Sequence, residues 1–526
     1  MLNYRLVVRN VGLLLIALSL AMLVAAGVEY GVFLGDLSGA GLERDMLAVR
    51  AQLVAGLTGL CLGAAMWVIG RGEDAFLGRR EALLLVALSW LVGAALAGLP
   101  YWLWARFTVE HHPGHPFESF VSCYFEAMSG LTTTGATVLS QVDPGPTGLP
   151  RGLLFWRALT HWLGGLGIVV LFVAVLPTLG VGGKKLFQVE ATGPTAQGVR
   201  PRIRETARIL WLIYLGLTIV QTIVLKLCGL TWFDAVCHTF ATLATGGFGT
   251  RNASVAAFDS VYVDVTVILF MILAGANFGL YYQMIRGRIR DVWADPELRL
   301  YLAILAIASL VVVGSLIEQR IISPTGVDVE PSVGAAVRHG VCQVVSIQTT
   351  TGFVTADYDH WHFVPKAVLV LLMFFGGCAG STAGGIKVIR ILIAAKVMLA
   401  EVERVFRPNV VRSIKVGRAP VDPELRTATL VYIMGIIVLF LMGAFMIAVF
   451  EAHGPHADKL GILTALSASA ATLNNIGPGL ELVGAVQNYG WFSTPSKIVM
   501  CILMALGRLE VYAIFVLFMP SFWRAE

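Results

Sequence analysis

The chain is poor in charge. Of its 526 residues only 13% are Asp, Glu, Lys or Arg, while 57% are hydrophobic. A soluble globular protein of this size has no need of so much apolar surface, which excludes that class and leaves a polytopic membrane protein. Cysteine is also sparse. The seven are scattered with no CxxC pair, which argues against a disulfide frame or a thiolate metal site and leaves small buried apolar residues. His161, His238 and His339 fall on different segments without spacing of the HExxH kind. With no nucleophile–base set beside them, an enzyme is not expected. The chain has no Rossmann fingerprint, so nucleotide control would have to come from another subunit. No segment is long enough to be a basic soluble domain, so the net charge of +5 is no nucleic-acid signal.

What the chain does have is long apolar runs. Residues 8–28, 49–71, 81–105, 150–178, 206–229, 260–285, 298–320, 363–398, 425–450 and 493–519 can each cross roughly 30 Å of hydrocarbon as a helix. Between them lie four shorter stretches, 118–130, 232–243, 335–347 and 461–473, too short to span. Each ends in a Thr/Asn/Gly turn: LTTTGAT around Gly135, LATGGFGT around Gly247, QTTTGFVT around Gly352 and LNNIGPG around Gly477. Two places before each glycine stand Thr133, Thr245, Thr350 and Asn475. The turns recur every 105 to 125 residues or so, which reads as an internal fourfold repeat of helix, polar re-entry and helix. Non-helical backbone at that depth is tolerable only against protein or water. The fold expected is an all-α polytopic membrane protein whose four helix–pore-loop–helix repeats surround a central ion pore.

Charge placement gives orientation. With the N-terminus inside, the inner side collects Arg5, Arg9, Arg79, Arg80, Lys184, Lys185, Arg200, Arg202, Arg204, Arg286, Arg288, Arg290, Arg404, Arg407, Arg412, Lys415 and Arg418. The outer side receives Glu29, Asp36, Asp45, Glu110, His111, His112, Asp357 and Asp359, and all four turns open towards it. Met1–Gly27 could be taken for a cleaved leader. Orientation works well with it retained.

The turns carry the chemistry. Four such segments meeting at one axis would line a narrow pore with backbone carbonyls, which can replace the water shell of a monovalent cation. The candidate ligands are Thr133, Thr134 and Gly135; Thr245, Gly246 and Gly247; Thr350, Thr351 and Gly352; and Asn475, Ile476 and Gly477. Glycine permits the backbone this requires. The short helices would aim their partly negative C-terminal ends at the ion. Close packing of small residues is the competing account of any single turn, but not of four in register. Nine residues before each glycine stand Glu126, His238, Gln343 and Ala468, the last flanked by Ser467 and Ser469. Two roles stay open for the polar three: bonds to the turn backbone, or simple solvation at the mouth.

A second feature, GGCAGSTAGGIK from Gly376 to Lys387, interrupts the apolar run 363–398. Gly376, Gly377, Gly380, Ser381, Thr382, Gly384 and Gly385 cannot form a stable helix interior and must line a cavity. The loop follows the third turn on its inner side and reads as a gate. A phosphate loop using Lys387 is disfavoured, because both flanks are membrane-apolar. Arg508 lies inside the last apolar run, where a charge costs roughly 2.5–3.5 kcal/mol and needs a partner or water. The carbonyl-rich loop is the better partner, since Glu510 faces elsewhere on a helix. Snorkelling to the inner surface is the other reading of Arg508.

The four turns, GGCAGSTAGGIKVIR and ALGRLE together resemble the TrkH branch of the Trk/Ktr/HKT superfamily of potassium transporters, over about residues 80 to 520. Residues 1–75 look like the extra N-terminal two-helix unit of that branch. The resemblance implies pore repeats at 76–180, 200–290, 296–400 (with a broken second helix) and 422–526. It also implies K⁺ as the transported ion held at the turn residues, no organic cofactor, and a homodimer in the bacterial inner membrane. A cytosolic, nucleotide-binding TrkA-like subunit would regulate it. The Gly376–Gly385 loop would be the gate, with Lys387 just after it and Arg508 facing it. Related plant transporters with serine at the first filter glycine select Na⁺, so Gly135 points to K⁺. The fourth turn, NNIGPG, departs from the TTG pattern. Basic loops at 179–208, 286–299 and 400–426 are candidate docking surfaces, with ordinary inside-positive charge as the alternative. A proton- or sodium-coupled symporter is the second functional reading, with Glu126 its only attractive carboxylate.

Overall fold

The computed structural model describes residues 2–33, 40–72, 78–108, 114–144, 148–174, 199–409, 413–417, 419–452, 454 and 457–524. Asp36, Glu110, His111, His112, Lys184, Lys185, Arg412 and Arg418 lie outside these residues, as does most of the loop 179–208.

Helix dominates. Helices α1 (Tyr4–Val28) and α2 (Ala40–Ile69) form the N-terminal pair. Asn3 starts α1 by accepting the Leu6 N–H (3.1 Å). The two pack backbone to backbone: a methyl group on Gly12 would sit 2.7 Å from the Gly63 carbonyl oxygen, and one on Gly63 would sit 2.7 Å from that of Gly12.

Four sets follow, each a helix, a short helix and a helix. The first is α3 (Arg79–Phe107), α4 (Phe120–Leu131) and α5 (Arg151–Ala174). The second is α6 (Val199–Leu227), α7 (Trp232–Leu243) and the pair α8 (Val261–Gly275) and α9 (Phe278–Ile285), which leads through α10 (Ile289–Ala294) to the third set. The third is α11 (Pro296–Leu316), α12 (Val333–Gln348), and α13 (Phe363–Leu372) and α14 (Val388–Phe406) on either side of the Gly-rich loop. The fourth is α15 (Pro423–Glu451), α16 (Ile462–Leu473) and α17 (Thr494–Arg508). The described strands are two small hairpins, β1 (Ile321–Ile322) with β2 (Asp328–Val329) and β3 (Lys415–Val416) with β4 (Ala419–Pro420).

Six described helices are long and apolar enough to cross a membrane, and a seventh span results if α8 and α9 count as one. Their outward side chains, such as Leu310, Met434 and Phe445, are apolar and exposed, as a lipid-facing belt requires. The short helices α4, α7, α12 and α16 are instead buried in the centre. The chain is an all-α polytopic membrane protein.

Besides the interrupted run 363–398, two expected spans are not single helices. The run 260–285 bends by 95° between α8 and α9. The backbone freed at the bend is used elsewhere: the Gly275 carbonyl accepts the Cys378 N–H (2.8 Å), and the Asn277 side chain caps α9 through Gly279 N–H (2.7 Å). The run 493–519 stops being helix at Arg508, where Glu510 and Val511 turn to φ +56° and +63°. The Val511 N–H reaches back to the Leu506 carbonyl (2.8 Å) and closes the helix end.

Candidate functional site

Each short helix ends in the same way. The residue two before the glycine is left-handed: Thr133 at φ +52°, Thr245 at +54°, Thr350 at +56° and Asn475 at +55°. The next N–H bonds back to the helix, from Thr134 to Ser129 (2.8 Å), Gly246 to Ala241 (2.7 Å), Thr351 to Ser346 (2.8 Å) and Ile476 to Ala471 (2.8 Å). This is a Schellman ending, in which glycine is the usual left-handed residue. Three β-branched threonines there hold a conformation that is rare for their type. Strain of this kind collects at functional sites. The glycines that follow, Gly135, Gly247, Gly352 and Gly477, are also at positive φ, between +80° and +99°.

The four turns touch in cyclic order. A methyl group on Gly135 would overlap the Gly246 carbonyl oxygen, one on Gly247 that of Thr351, and one on Gly352 that of Ile476. One on Gly477 would come within 2.7 Å of the Thr134 oxygen, which closes the ring. Each contact joins a glycine to the residue just before the glycine of the next turn. A closed ring of neutral backbone around one axis suits a dehydrated monovalent cation.

Behind the ring, each turn is anchored three residues after its glycine. Val138 N–H donates to Glu126 (2.9 Å), and Leu480 N–H donates to the Ser467 hydroxyl (3.0 Å). Gln343 Nε2 reaches the Thr355 hydroxyl (3.4 Å). In the second turn the anchor is Asp234, which accepts the Thr250 hydroxyl (2.6 Å). His238 contacts the Asp234 carbonyl of its own helix through Nδ1 (3.0 Å), so of the two roles left open for it the tie to the turn falls instead to Asp234, one helical turn earlier. Glu126 is fully buried and paired with Arg157 on α5 at 2.6 Å. Arg157 also stacks over Phe248 at 3.9 Å and thereby joins the first set to the second turn. The sequence reading missed Arg157; opposite charges on two apolar segments, Glu126 and Arg157, are the signal that points to this pair. In the fourth turn Tyr489 donates to the Gly477 carbonyl (2.7 Å), which sets that turn apart.

The Gly-rich loop lies on the other side of the turns from these anchors. Its neck is pinned by Gly376 N–H to Ile386 (3.0 Å) and Val388 N–H to Gly377 (3.1 Å). Its body meets the C-terminal ends of three short helices. The Thr382 hydroxyl donates to the Leu243 carbonyl (2.8 Å), and Gly384 N–H donates to the Thr350 hydroxyl (2.6 Å). A methyl on Gly384 would lie 2.5 Å from the Asn474 carbonyl. Gly380 accepts from Phe278 N–H (3.2 Å) at the α8–α9 bend. Arg508, 3% exposed, donates to the Thr382 carbonyl (2.7 Å) and to Gly164 on α5 (3.4 Å). It is therefore bound to the loop and does not reach the surface. Ser381 bonds within the loop to Cys378 (2.6 Å), Gly385 packs near Gly376, and Lys387 bonds back to Ala383. Glu510 pairs with Arg390 (2.5 Å), a contact that the sequence reading missed.

On the side of the turns where the anchors lie, Asp359 accepts the Glu481 N–H (2.9 Å) and joins the third and fourth sets. Burial pushes its carboxyl up to about 6; Asp357 and Glu481 add to the rise, while the Glu481 N–H and Lys366 oppose it.

Comparison with known proteins agrees with this architecture. The family profile TrkH, described as cation transport protein, matches residues 57–525. The chain is 36% identical over 524 residues to the Trk system potassium uptake protein TrkH of Escherichia coli K12, covering 99% of this chain and all of that one. It is 32% identical to the Trk system potassium uptake protein TrkG of the same organism, over 88% of this chain and 90% of that one. The crystal structure of the potassium transporter TrkH from Vibrio parahaemolyticus superposes with a TM-score of 0.83 at 34% identity, covering 99% of this chain and all of that one. A profile over most of the sequence and full-length relatives above 30% identity place the chain in the TrkH family of cation transport proteins.

Proposed function

We propose that this protein takes up K⁺ across the bacterial inner membrane, through a filter formed by the turns at Gly135, Gly247, Gly352 and Gly477. The observation that carries the reading is the closed ring of backbone contacts made by four turns of one conformation. Neutral oxygens bind a cation weakly enough to release it. The driving force is the membrane potential, about 2.3 kcal/mol per charge per 100 mV. Sets one to four are the pore repeats, 1–75 is an added unit, and the N-terminus faces the cytoplasm.

The Gly376–Gly385 loop and Arg508 are the gate. The loop spans the inner ends of the turns, and the buried guanidinium adds positive charge to the cation's path. A cytosolic nucleotide-binding subunit of the TrkA type governs it, and the working unit is a homodimer. Coupled symport would need a carboxylate free to carry a proton. Glu126 is held by Arg157, Thr137 and Val138, which favours an uncoupled path.

The test is radioactive Rb⁺ flux into proteoliposomes at a clamped K⁺ diffusion potential. Flux blocked by K⁺, spared by Na⁺ and indifferent to a proton uncoupler is expected. Flux that depends on a proton or Na⁺ gradient would overturn the uncoupled reading.

A further inference from the structure

The gate loop leaves α13 and returns to α14, and one carboxylate bridges its two ends. Glu297 is the second residue of α11, a helix capped by Asp295 through the Leu298 N–H (2.8 Å). Its side chain turns inward and is 4% exposed. A single oxygen, Oε1, accepts the N–H of Ala379 (2.7 Å) and that of Ile389 (3.0 Å). Ala379 belongs to the loop. Ile389 lies in the first turn of α14, where a helix leaves its N–H groups without intrahelical partners. An oxygen placed there satisfies one of those orphan donors together with the Ala379 N–H, and the bond needs only an acceptor at that point.

The surroundings hold the same point. Ala379 packs with Ile389, Ile393, Ile414, Val416 and Leu425, a small apolar cluster shared by the loop, α14, the β3–β4 hairpin and the start of α15. The loop therefore has a base of its own, apart from the turns and from Arg508.

We propose that Glu297 is a positioning residue of the gate, whose Oε1 staples the outgoing and returning ends of the loop and keeps it across the inner ends of the filter turns. The inference rests on the gate reading above.

Cys378 supplies a reporter independent of flux. It is the residue before Ala379 and is fully buried. In a full-length protein whose other six cysteines are replaced, the labelling rate of Cys378 by a small water-soluble maleimide is measured beside Rb⁺ flux. Glu297→Gln keeps an acceptor oxygen and should protect Cys378 as the parent does. Glu297→Ala should label roughly tenfold faster or more, with raised flux. Glu297→Asp keeps a carboxyl but is too short to reach both N–H groups, and should label faster too; it decides the matter if the alanine variant does not fold. Parental labelling in folded Ala or Asp variants would overturn the staple, as would a Gln variant that labels like Ala. Faster labelling with unchanged flux would uphold the staple and overturn the gate reading.

Discussion

Thr133 shows what a single residue gives up at this site. It holds φ +52°, is fully buried, and its hydroxyl makes no hydrogen bond among the described residues. A left-handed conformation costs a residue with a side chain about 1–2 kcal/mol. Thr133→Gly should therefore leave the melting temperature unchanged or higher, while lowering the preference for K⁺ over Na⁺. A fall in melting temperature with selectivity intact would make the threonine a packing residue. Gly135 is constrained differently, because any β-carbon there presses on the Gly246 carbonyl. Gly135→Ser should raise Na⁺ permeation relative to K⁺ in competition flux, and unchanged selectivity would contradict the filter assignment. Asp359 gives a pH signature. Its folded pKa of about 6 stands above the ordinary 3.8, so the folded state holds the proton longer. Its contribution to stability is then greatest below about pH 4 and is lost as pH rises through 6. Asp359→Asn should match the parent in thermal unfolding at pH 4 and exceed it at pH 7.

Among the elements, the short helices were the most legible in the sequence. Their length, their apolar character and the Thr/Asn/Gly stop set the ends of α4, α7, α12 and α16 to within a few residues. The bend between α8 and α9 was not legible. Ala276 and Asn277 do not break a helix by themselves; what breaks it is the loop that bonds to Gly275 and Phe278 from another set. The end of α17 hid for a similar reason, since Glu510 leaves the helix to meet Arg390. Hydropathy registers what a segment can bury and is blind to which backbone groups a distant segment will claim. The same limit hid Asp234 as the anchor of the second turn. The Glu126–Arg157 pair is the joint between α4 and α5. Truncating one partner of a buried pair costs about 3–5 kcal/mol. Arg157→Ala should lower thermal stability by that order, and adding Glu126→Gln should recover part of it; no loss in the single variant would mean that water replaces the guanidinium.

For the whole molecule, the repeat was readable as spacing, but its closure was not. Nothing in the spacing says that Gly135 meets Gly246 or that Gly477 returns to Thr134, because chain order does not fix which quarter neighbours which. The Gly-rich loop and the four turns also meet only in three dimensions. The loop comes from the third set, yet it is held by Thr350 of its own set, by Leu243 and Ala274 of the second, and by Arg508 of the fourth. Arg508→Ala should thus raise basal Rb⁺ flux with selectivity retained, because the turns keep their own hydrogen bonds. No gain in flux would sink the gate assignment.

The ring is also built from one polypeptide. In an assembly of four identical chains every substitution is felt four times, and the axis can only be remade wholesale. Here Tyr489 takes the Gly477 carbonyl, while among the described residues no side chain bonds to the carbonyl of Gly135, Gly247 or Gly352. One quarter can be altered while three stand, so the preference of such a pore among cations can be adjusted in small increments, each small enough for the rest of the ring to hold its shape.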